Sequence, residues 1–206
     1  MKKLDIIKSY YEPNINKNLP DHQVLGWESK QAHNMRFEVL ADNVDIEGKS
    51  ILDVGCGLGN LYGFLKNKGY TFEYVGVDIL EAMVERARCK FKDVDFRCLD
   101  IFKGNALEGE TFDIVYASGI FNLNMGNNIP FLKQALQKFY ELSSEFIAFN
   151  LLHTDSNDKE DTYFYFHPDQ VAEIISTTLP ENIQVKIIEN YLNNDFTVII
   201  KKNDRK

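Results

Sequence analysis

Cysteine is scarce in this chain, and its distribution excludes the roles that clustered cysteines play. The 206 residues include only Cys56, Cys89 and Cys98, an odd number that never forms a Cys-x-x-Cys pair. A disulfide framework requires paired cysteines and a zinc site requires closely spaced ligands, so neither is indicated. The histidines also lack ligand spacing, and we expect no metal. Unpaired thiols are typical of a reducing compartment, and we expect a cytoplasmic protein.

Long apolar runs and concentrated positive charge are also missing. The apolar segment that follows Lys2 and Lys3 extends only from Leu4 to Ile7, and Asp5 interrupts it. Neither a signal peptide nor a membrane-spanning helix is therefore expected. The formal net charge is −8, and basic residues concentrate only at the two ends, the second being residues 201–206. Because phosphate backbones are bound by clustered Lys and Arg, we expect no nucleic-acid partner and no membrane partner. The oligomeric state does not follow from these features.

The most informative feature that is present is a glycine-rich loop behind an apolar strand. Residues 51–60 read Ile-Leu-Asp-Val-Gly-Cys-Gly-Leu-Gly-Asn, and a helical segment over residues 60–68 follows. Glycine at alternate positions lets the chain turn sharply and lets a ligand approach the backbone closely. The helix N-terminus adds free N–H groups. The pattern indicates a nucleotide-like ligand, although many classes of nucleotide-binding protein use such a loop.

Acidic residues lie at the ends of the first three predicted strands. Asp53 is in the strand before the loop, Asp78 ends the strand over residues 73–77, and Asp100 follows the third strand. Ligands of an open parallel sheet bind outside the carboxyl ends of its strands, so we expect the three carboxylates to gather there. Asp78 lies 19 residues after Gly59, the position at which such a unit places an acid on the ribose hydroxyls.

These segments together resemble the class I S-adenosylmethionine-dependent methyltransferases. The resemblance rests on residues 52–59, 75–79, 98–101 and 112–119, and it covers roughly residues 46–202. It implies S-adenosylmethionine as cofactor, with S-adenosylhomocysteine as its product. By this similarity Gly55 and Gly57 line the methionine half, Asp78 holds the ribose, and Asp100 reads the adenine edge. The implied cofactor positions in the core are Asp53, Gly55, Cys56, Gly57, Asp78, Ile79, Met83, Asp100, Ile101, Ser118 and Gly119.

A nicotinamide-dependent dehydrogenase is the main alternative for a glycine loop with a downstream acid. That class expects a third small residue at position 60, where this chain has Asn60, and the difference counts against it.

Strands and helices alternate after Lys49, which predicts an α/β fold with a doubly wound, mostly parallel sheet. Apolar spacing predicts helices over residues 129–142 and 168–178. The segments 183–189 and 196–201 predict a C-terminal antiparallel hairpin with its turn at Asn193-Asn194, which the resemblance also implies. With these two, the sheet has seven strands, the others being residues 50–54, 73–77, 94–98, 112–116 and 144–150. We expect one domain overall, with residues 48–206 as the catalytic core.

Residues 1–47 stand apart, and we expect them to form a helical cap over the site. Residues 28–44 place Phe37 and other apolar residues on one helical face, with Ser29, His33 and Arg36 on the face beside it. Such polar groups border pockets, and Arg36 is predicted to pair with the cofactor carboxylate. Trp27, the only tryptophan, is predicted to wall the cofactor.

The methyl acceptor is less well defined, and we expect a small molecule. His153, just past the fifth strand, is the candidate general base. The candidate acceptor contacts lie behind the fourth strand and before the helix over residues 168–178. They are Phe121, Asn122, Tyr163, Tyr165 and His167. Two alternatives stay open at this point: a divergent protein that binds the cofactor without methyl transfer, and a methyltransferase that acts on a protein or a nucleic acid.

Overall fold

Seven strands form the single sheet around which the chain folds. The computed structural model describes residues 3–15, 17 and 19–203, so Lys2 and residues 204–206 of the basic ends lie outside the described residues. The strands are β1 Ser50–Val54, β2 Glu73–Asp78, β3 Asp95–Cys98, β4 Phe112–Ala117, β5 Ser143–Leu152, β6 Ile183–Ile188 and β7 Asp195–Lys202. They are arranged in the order β3-β2-β1-β4-β5-β7-β6. Strands β1 to β5 are parallel, and β7 is antiparallel to both of its neighbours.

Helices cover both faces of this sheet, which confirms the predicted doubly wound α/β fold. They are α1 Lys3–Ile15, α2 Asp21–Val24, α3 Lys30–Asn43, α4 Asn60–Asn67, α5 Glu81–Lys90, α6 Asn128–Leu142 and α7 Pro168–Thr178. Within the described residues, no helix combines the length and the apolar character needed to cross a membrane.

The alternation of side chains along β1 shows how the two faces are filled. Ile51 packs with α3, α4 and α5, whereas Leu52 and Val54 pack with α6 and α7. Successive strand residues point to opposite faces, and a parallel sheet is buried on both, which explains the continuous apolar run that the sequence shows here. The carboxyl ends of the strands are therefore the part of the sheet left open to a ligand.

The C-terminal hairpin is confirmed, but its turn is longer than the sequence suggested. Strand β6 ends at Ile188 and β7 begins at Asp195, so residues 189–194 make the connection. Asn190 adopts a positive φ of 65°, a conformation that Asn tolerates better than most residues. The turn is thus spread over six residues rather than centred on Asn193-Asn194.

Helix α1 has no counterpart in the sequence-based assignment. Pro13 lies inside it, and further apolar residues at Ile6 and Tyr10 lie off its buried face, which weakens the helical pattern. Leu4, Ile7 and Tyr11 nevertheless pack on a small cluster that includes Leu58 and Met83. Contacts with the rest of the fold, rather than its own pattern, therefore hold this segment as a helix.

Candidate functional site

A cavity lies where β1, β2 and β4 end, at the edge of the sheet that the carboxylate pattern predicted. Helix α4 leads from β1 toward β2, whereas α6 leads from β4 toward β5, so the strand order reverses between β1 and β4. Such a reversal point is where open α/β sheets bind ligands. Besides the predicted cofactor positions described below, its walls contain Lys3, Ile7, Tyr11, Leu25, His33, Phe37, Val54, Asn60, Leu61, Val77, Leu80, Leu99, Phe102, Ile120, Leu123, Met125 and Phe131.

All of the residues predicted to bind the cofactor, apart from Arg36, line this cavity. They come from the glycine loop, from the ends of β2, β3 and β4, and from the segment before α3. They are Trp27, Asp53, Gly55, Cys56, Gly57, Asp78, Ile79, Met83, Asp100, Ile101, Ser118 and Gly119. The structure therefore brings together segments that are up to 92 positions apart, between Trp27 and Gly119.

The glycine loop is fixed to the end of β2 by Asp78. The backbone N–H of Gly57 donates to Asp78 Oδ2 over 3.0 Å, and the N–H of Leu80 donates to Oδ1 over 2.9 Å. Gly57 has a φ of 52°, and a Cβ at this position would lie 2.9 Å from Leu25 Cδ2. Burial raises the pKa of Asp78, and the hydrogen bond from Leu80 opposes this shift. Asp78 thus presents a carboxylate of fixed orientation beside the loop.

Asp53 is the most deeply buried acid of the cavity wall. Only 4% of its surface is exposed, and the Tyr74 hydroxyl donates to Asp53 Oδ2 over 2.6 Å. Burial raises the pKa of Asp53 to about 7, although the Tyr74 hydrogen bond lowers it. Near neutral pH this carboxyl group is therefore divided between its charged and neutral forms.

Helix α1 forms one wall of the cavity. Lys3, Ile7 and Tyr11 are four residues apart, so they share one helical face, and all three line the cavity. The Tyr10 hydroxyl is 2.6 Å from the Tyr163 hydroxyl and joins α1 to the segment before α7. Lys3 Nζ lies 3.5 Å from the centre of the Phe131 ring, and burial lowers the pKa of this lysine to about 8. The cavity thus has one cation at this wall.

Helix α2 is tied to the core through Asp21. Its Oδ2 accepts a hydrogen bond of 2.9 Å from Asn60 Nδ2 and lies 2.7 Å from Lys90 Nζ. Leu25, directly behind this helix, contacts the glycine loop at Gly57. The beginning of the chain is therefore anchored close to the loop.

Arg36 faces away from the cavity and belongs to a buried polar cluster. Its Nε lies 2.5 Å from Asp195 Oδ2, and its Nη1 donates to the carbonyl oxygen of Ala32. Asn150 Nδ2 donates to the same Asp195 oxygen, and Asn150 Oδ1 accepts from the N–H of Gly119. Pairing with the cofactor carboxylate stays a prediction for Arg36, but the structure gives this side chain a different partner.

His33, one helical turn before Arg36, takes the position on the cavity wall. Its ring is stacked on Trp27 with 5.4 Å between the centres and lies 4.8 Å from the ring of Phe37. Burial, and then the positive charge of Arg36, lower the pKa of His33 to about 3, so the ring is neutral. The polar stripe on the predicted helix was the signal for this residue. Its third member, Ser29, is the N-cap of α3 and accepts from the N–H of Ala32.

His153 does not lie among the residues of the cavity wall. Its Nε2 is 3.1 Å from Glu189 Oε1, and its Nδ1 accepts a hydrogen bond from the N–H of Asp155. Both ring nitrogens thus already have partners, which come from residues 155 and 189. A general base must reach the proton that it removes, and this geometry does not support that role.

The predicted acceptor residues also lie outside the cavity wall, and their segments pair with each other. Leu123 and Tyr163 form an isolated β-bridge, and Phe164 N–H donates to the carbonyl of Asn122. Phe121 is part of the apolar core, with 1% of its surface exposed. The remaining three residues have local partners: Tyr163 contacts Tyr10, Tyr165 accepts from the N–H of Glu160, and His167 caps α7 through the N–H of Asp169.

Comparison with known proteins agrees with this geometry. A family profile described as a methyltransferase domain matches residues 51–144. Rv1506c of Mycobacterium tuberculosis, named as a methyltransferase, is 26% identical over 162 residues, which are 74% of this chain and 93% of that protein. The malonyl-[acyl-carrier protein] O-methyltransferase of Acetivibrio thermocellus is 29% identical over 139 residues. These are 64% of this chain but 47% of that enzyme, so the chain spans about half of its length.

Solved structures show the same fold. Magnesium protoporphyrin IX methyltransferase from Synechocystis PCC 6803, crystallised with S-adenosylmethionine, superposes with a TM-score of 0.68. The alignment covers 98% of both chains at 13% identity, so the likeness establishes the fold alone. The matching domain, the related methyltransferase sequences and the shared fold together support a class I S-adenosylmethionine-dependent methyltransferase.

Proposed function

We propose that this methyltransferase acts on a small, largely apolar acceptor bound between α1 and the segment behind β4. The observation that carries the proposal is the composition of the cavity wall outside the predicted cofactor positions. That part of the wall is mostly apolar or aromatic, with Ile7, Leu25, Phe37, Ile120, Leu123, Met125 and Phe131. Apolar walls with a few polar groups are typical of small-molecule sites.

The residues present fit S-adenosylmethionine. Gly55 and Gly57 line the cavity without side chains, so a ligand can approach their backbone closely, and Asp78 offers oxygens that can accept from both ribose hydroxyls. In this proposal Ile79 and Met83 pack on the adenine, with Asp100 at its edge. The glycine loop holds the methionine half.

When bound, the cofactor supplies an electrophilic methyl group on a sulfonium. The chain's task is then to align the acceptor and to exclude water, and a base is required only if the acceptor arrives protonated. Neither nitrogen base of the described wall is suited to removing a proton, because His33 has a pKa of about 3 and Lys3 carries a proton over most of the neutral range. The wall carboxylates, Asp53, Asp78 and Asp100, lie at the predicted cofactor positions. We therefore propose transfer by alignment, to an acceptor atom with a free lone pair.

The direct test is incubation with methyl-labelled S-adenosylmethionine and a panel of apolar amines, thiols, phenols and carboxylic acids. Transfer to at least one small acceptor is expected. Tight cofactor binding without transfer to any class of acceptor would instead favour the divergent binder.

The ribose assignment predicts a large loss of affinity in Asp78→Ala. Hydrogen bonds to a charged group contribute about 1.5–3 kcal/mol, so the Kd for S-adenosylhomocysteine should rise by about 10-fold to 100-fold. Calorimetric titration measures this. Asp113→Ala is the matched control, because Asp113 also accepts from a backbone N–H and a hydroxyl, both of Ser50, but at the opposite end of the sheet. An equal rise of Kd in both variants would show that the loss is structural.

The position of His153 predicts little change of rate in His153→Gln. Removal of a general base lowers a rate by about 10²-fold to 10⁴-fold, whereas we expect a change within about twofold because the ring does not reach the cavity. Initial rates with a saturating acceptor, measured from pH 6 to 9, distinguish the two results. A large fall of the rate with unchanged cofactor affinity would restore the general-base prediction.

A nucleic-acid acceptor is the second candidate, because one relative is named as a tRNA (guanine-N(7)-)-methyltransferase. This Prochlorococcus marinus protein is 24% identical over 137 residues, which are 66% of this chain. The net charge of −8 opposes such an acceptor. Filter binding of total tRNA at low and high salt is the test, and tight, salt-sensitive binding would favour this candidate over the small molecule.

A further inference from the structure

We infer that His33 and Asn60 bind the amino-acid end of the cofactor, with the His33 ring N–H donating to the carboxylate and Asn60 Oδ1 accepting from the ammonium group. The inference rests on the proposed placement of the methionine half beside the glycine loop. It assigns to the site two residues that the methyltransferase motifs do not include.

His33 has an unused hydrogen-bonding ring at the cavity wall. Its side chain is 5% exposed, and within the described part of the chain neither ring nitrogen has a hydrogen-bond partner. Stacking on Trp27 and contact with Phe37 hold the ring in place. Because the ring is neutral, one nitrogen carries a hydrogen that it can donate. A neutral ring N–H on the cavity wall can donate to a bound carboxylate, and hydrogen bonds to charged groups are among the stronger ones.

Asn60 offers the complementary acceptor. Its Nδ2 donates to Asp21 Oδ2 over 2.9 Å, and this contact fixes which end of the amide is nitrogen. The amide oxygen Oδ1 is buried and has no partner among the described residues, although the side chain lines the cavity. A buried carbonyl oxygen of this kind is satisfied by a donor on the ligand, and an ammonium group is a strong one.

Arg36 does not compete for this role in the structure. Its Nε is paired with Asp195 and its Nη1 with Ala32, while His33 on the preceding turn faces the cavity. Trp27 contacts both side chains, since the Arg36 guanidinium lies 4.0 Å from its ring centre. We therefore assign the contact with the carboxylate to His33, with Arg36 supporting the Trp27 side of the wall.

The test compares two ligands that differ only in the end in question. S-adenosylhomocysteine carries the amino-acid group, whereas 5′-methylthioadenosine has the same adenine, ribose and thioether without it. His33→Phe keeps the aromatic stacking, and Asn60→Leu keeps the size of the side chain. In each variant the Kd for S-adenosylhomocysteine should rise by about 10-fold to 100-fold, the range for hydrogen bonds to charged groups. The Kd for 5′-methylthioadenosine should stay within about twofold.

Two control variants separate ligand contacts from local structure. Asp21→Leu removes the partner of Asn60 Nδ2 but keeps Oδ1, and it should affect both ligands equally. His33→Gln restores an N–H donor, and it should bind S-adenosylhomocysteine more tightly than His33→Phe. If His33→Phe does not fold, Asn60→Leu carries the comparison of the two ligands.

Three results would decide against the assignment or its basis. If His33→Phe and Asn60→Leu weaken both ligands alike, the residues have only a structural role and the inference is wrong. If neither variant weakens S-adenosylhomocysteine binding, it is equally wrong. If the wild-type protein binds 5′-methylthioadenosine but not S-adenosylhomocysteine, the proposed placement of the methionine half fails, independently of these two residues.

Discussion

Arg36→Met should lower the free energy of unfolding by about 3–5 kcal/mol, the range for breaking a buried ion pair. The Arg36 and Asp195 side chains are 3% and 0% exposed, and Nε lies 2.5 Å from Oδ2. Removing the guanidinium leaves the Asp195 carboxylate buried, with Asn150 as its remaining side-chain hydrogen-bond partner. Urea denaturation followed by circular dichroism measures the loss.

The double variant Arg36→Met with Asp195→Leu provides the control. Replacing both partners of a buried pair by apolar residues is often neutral, so it should recover most of the stability that Arg36→Met loses. A single variant of unchanged stability would contradict the structural role of the pair. If that variant also bound S-adenosylhomocysteine much more weakly, the cofactor-carboxylate prediction for Arg36 would gain support over the assignment to His33.

The core of the fold was predictable because its signals are local. The apolar run of residues 51–54, the glycines that follow and the acid that ends β2 each depend on a few neighbouring residues. Parallel strands buried on both faces require such runs, so their number followed from the alternation with helices. The position of the cavity then followed from the sheet topology.

The surroundings of the cavity were less predictable because they depend on distant contacts. Arg36 and Asp195 are 159 positions apart, and no spacing rule in the sequence joins them. The same holds for Tyr10 and Tyr163, which are 153 positions apart. The polar residues along one face of the predicted helix include His33, which does line the cavity. Arg36 belongs to the same stripe but pairs with Asp195 instead, and the sequence does not show this partner.

The acceptor segments show the same limit. Residues behind β4 and before α7 leave strand ends on the correct side of the sheet, which made them candidates. In the structure they pair with each other through Leu123 and Tyr163, and the residues behind β4 that line the wall are Ile120, Leu123 and Met125 rather than Phe121 and Asn122. Pairing between two loops uses backbone groups, which carry no pattern in the sequence.

Asp53→Asn should stabilise the protein more at pH 8 than at pH 5. Burial raises the pKa of Asp53 from 3.8 to about 7, so between these values the folded state binds a proton that the unfolded state has released. The free energy of unfolding therefore falls as pH rises from about 4 to about 7. Asparagine does not ionise, and its oxygen can still accept from Tyr74. The free energy of unfolding of Asp53→Asn therefore does not fall with pH for this reason.

The size of the effect follows from the shift. One pKa unit corresponds to about 1.4 kcal/mol, so the advantage of Asp53→Asn should grow by about 2–3 kcal/mol between pH 5 and pH 8. Asp113→Asn is the control. Although burial opposes it, hydrogen bonds from Ser50 lower the pKa of Asp113, so this carboxylate is ionised in both states over that range. Its effect on stability should not change with pH.

Urea denaturation at pH 5, 6, 7 and 8 measures both variants against the wild-type protein. A constant difference for Asp53→Asn would mean that Asp53 is ionised throughout, and the raised pKa would be wrong. The ionisation of Asp53 also concerns ligand binding, because Asp53 lines the cavity. The ionised form is the one that a cationic ligand favours, since an opposite charge nearby stabilises a carboxylate. We therefore expect binding of the positively charged cofactor to recover the stability that is lost when Asp53 ionises. In the wild-type protein, the thermal shift caused by S-adenosylmethionine should then be larger at pH 8 than at pH 6. In Asp53→Asn it should be the same at both pH values.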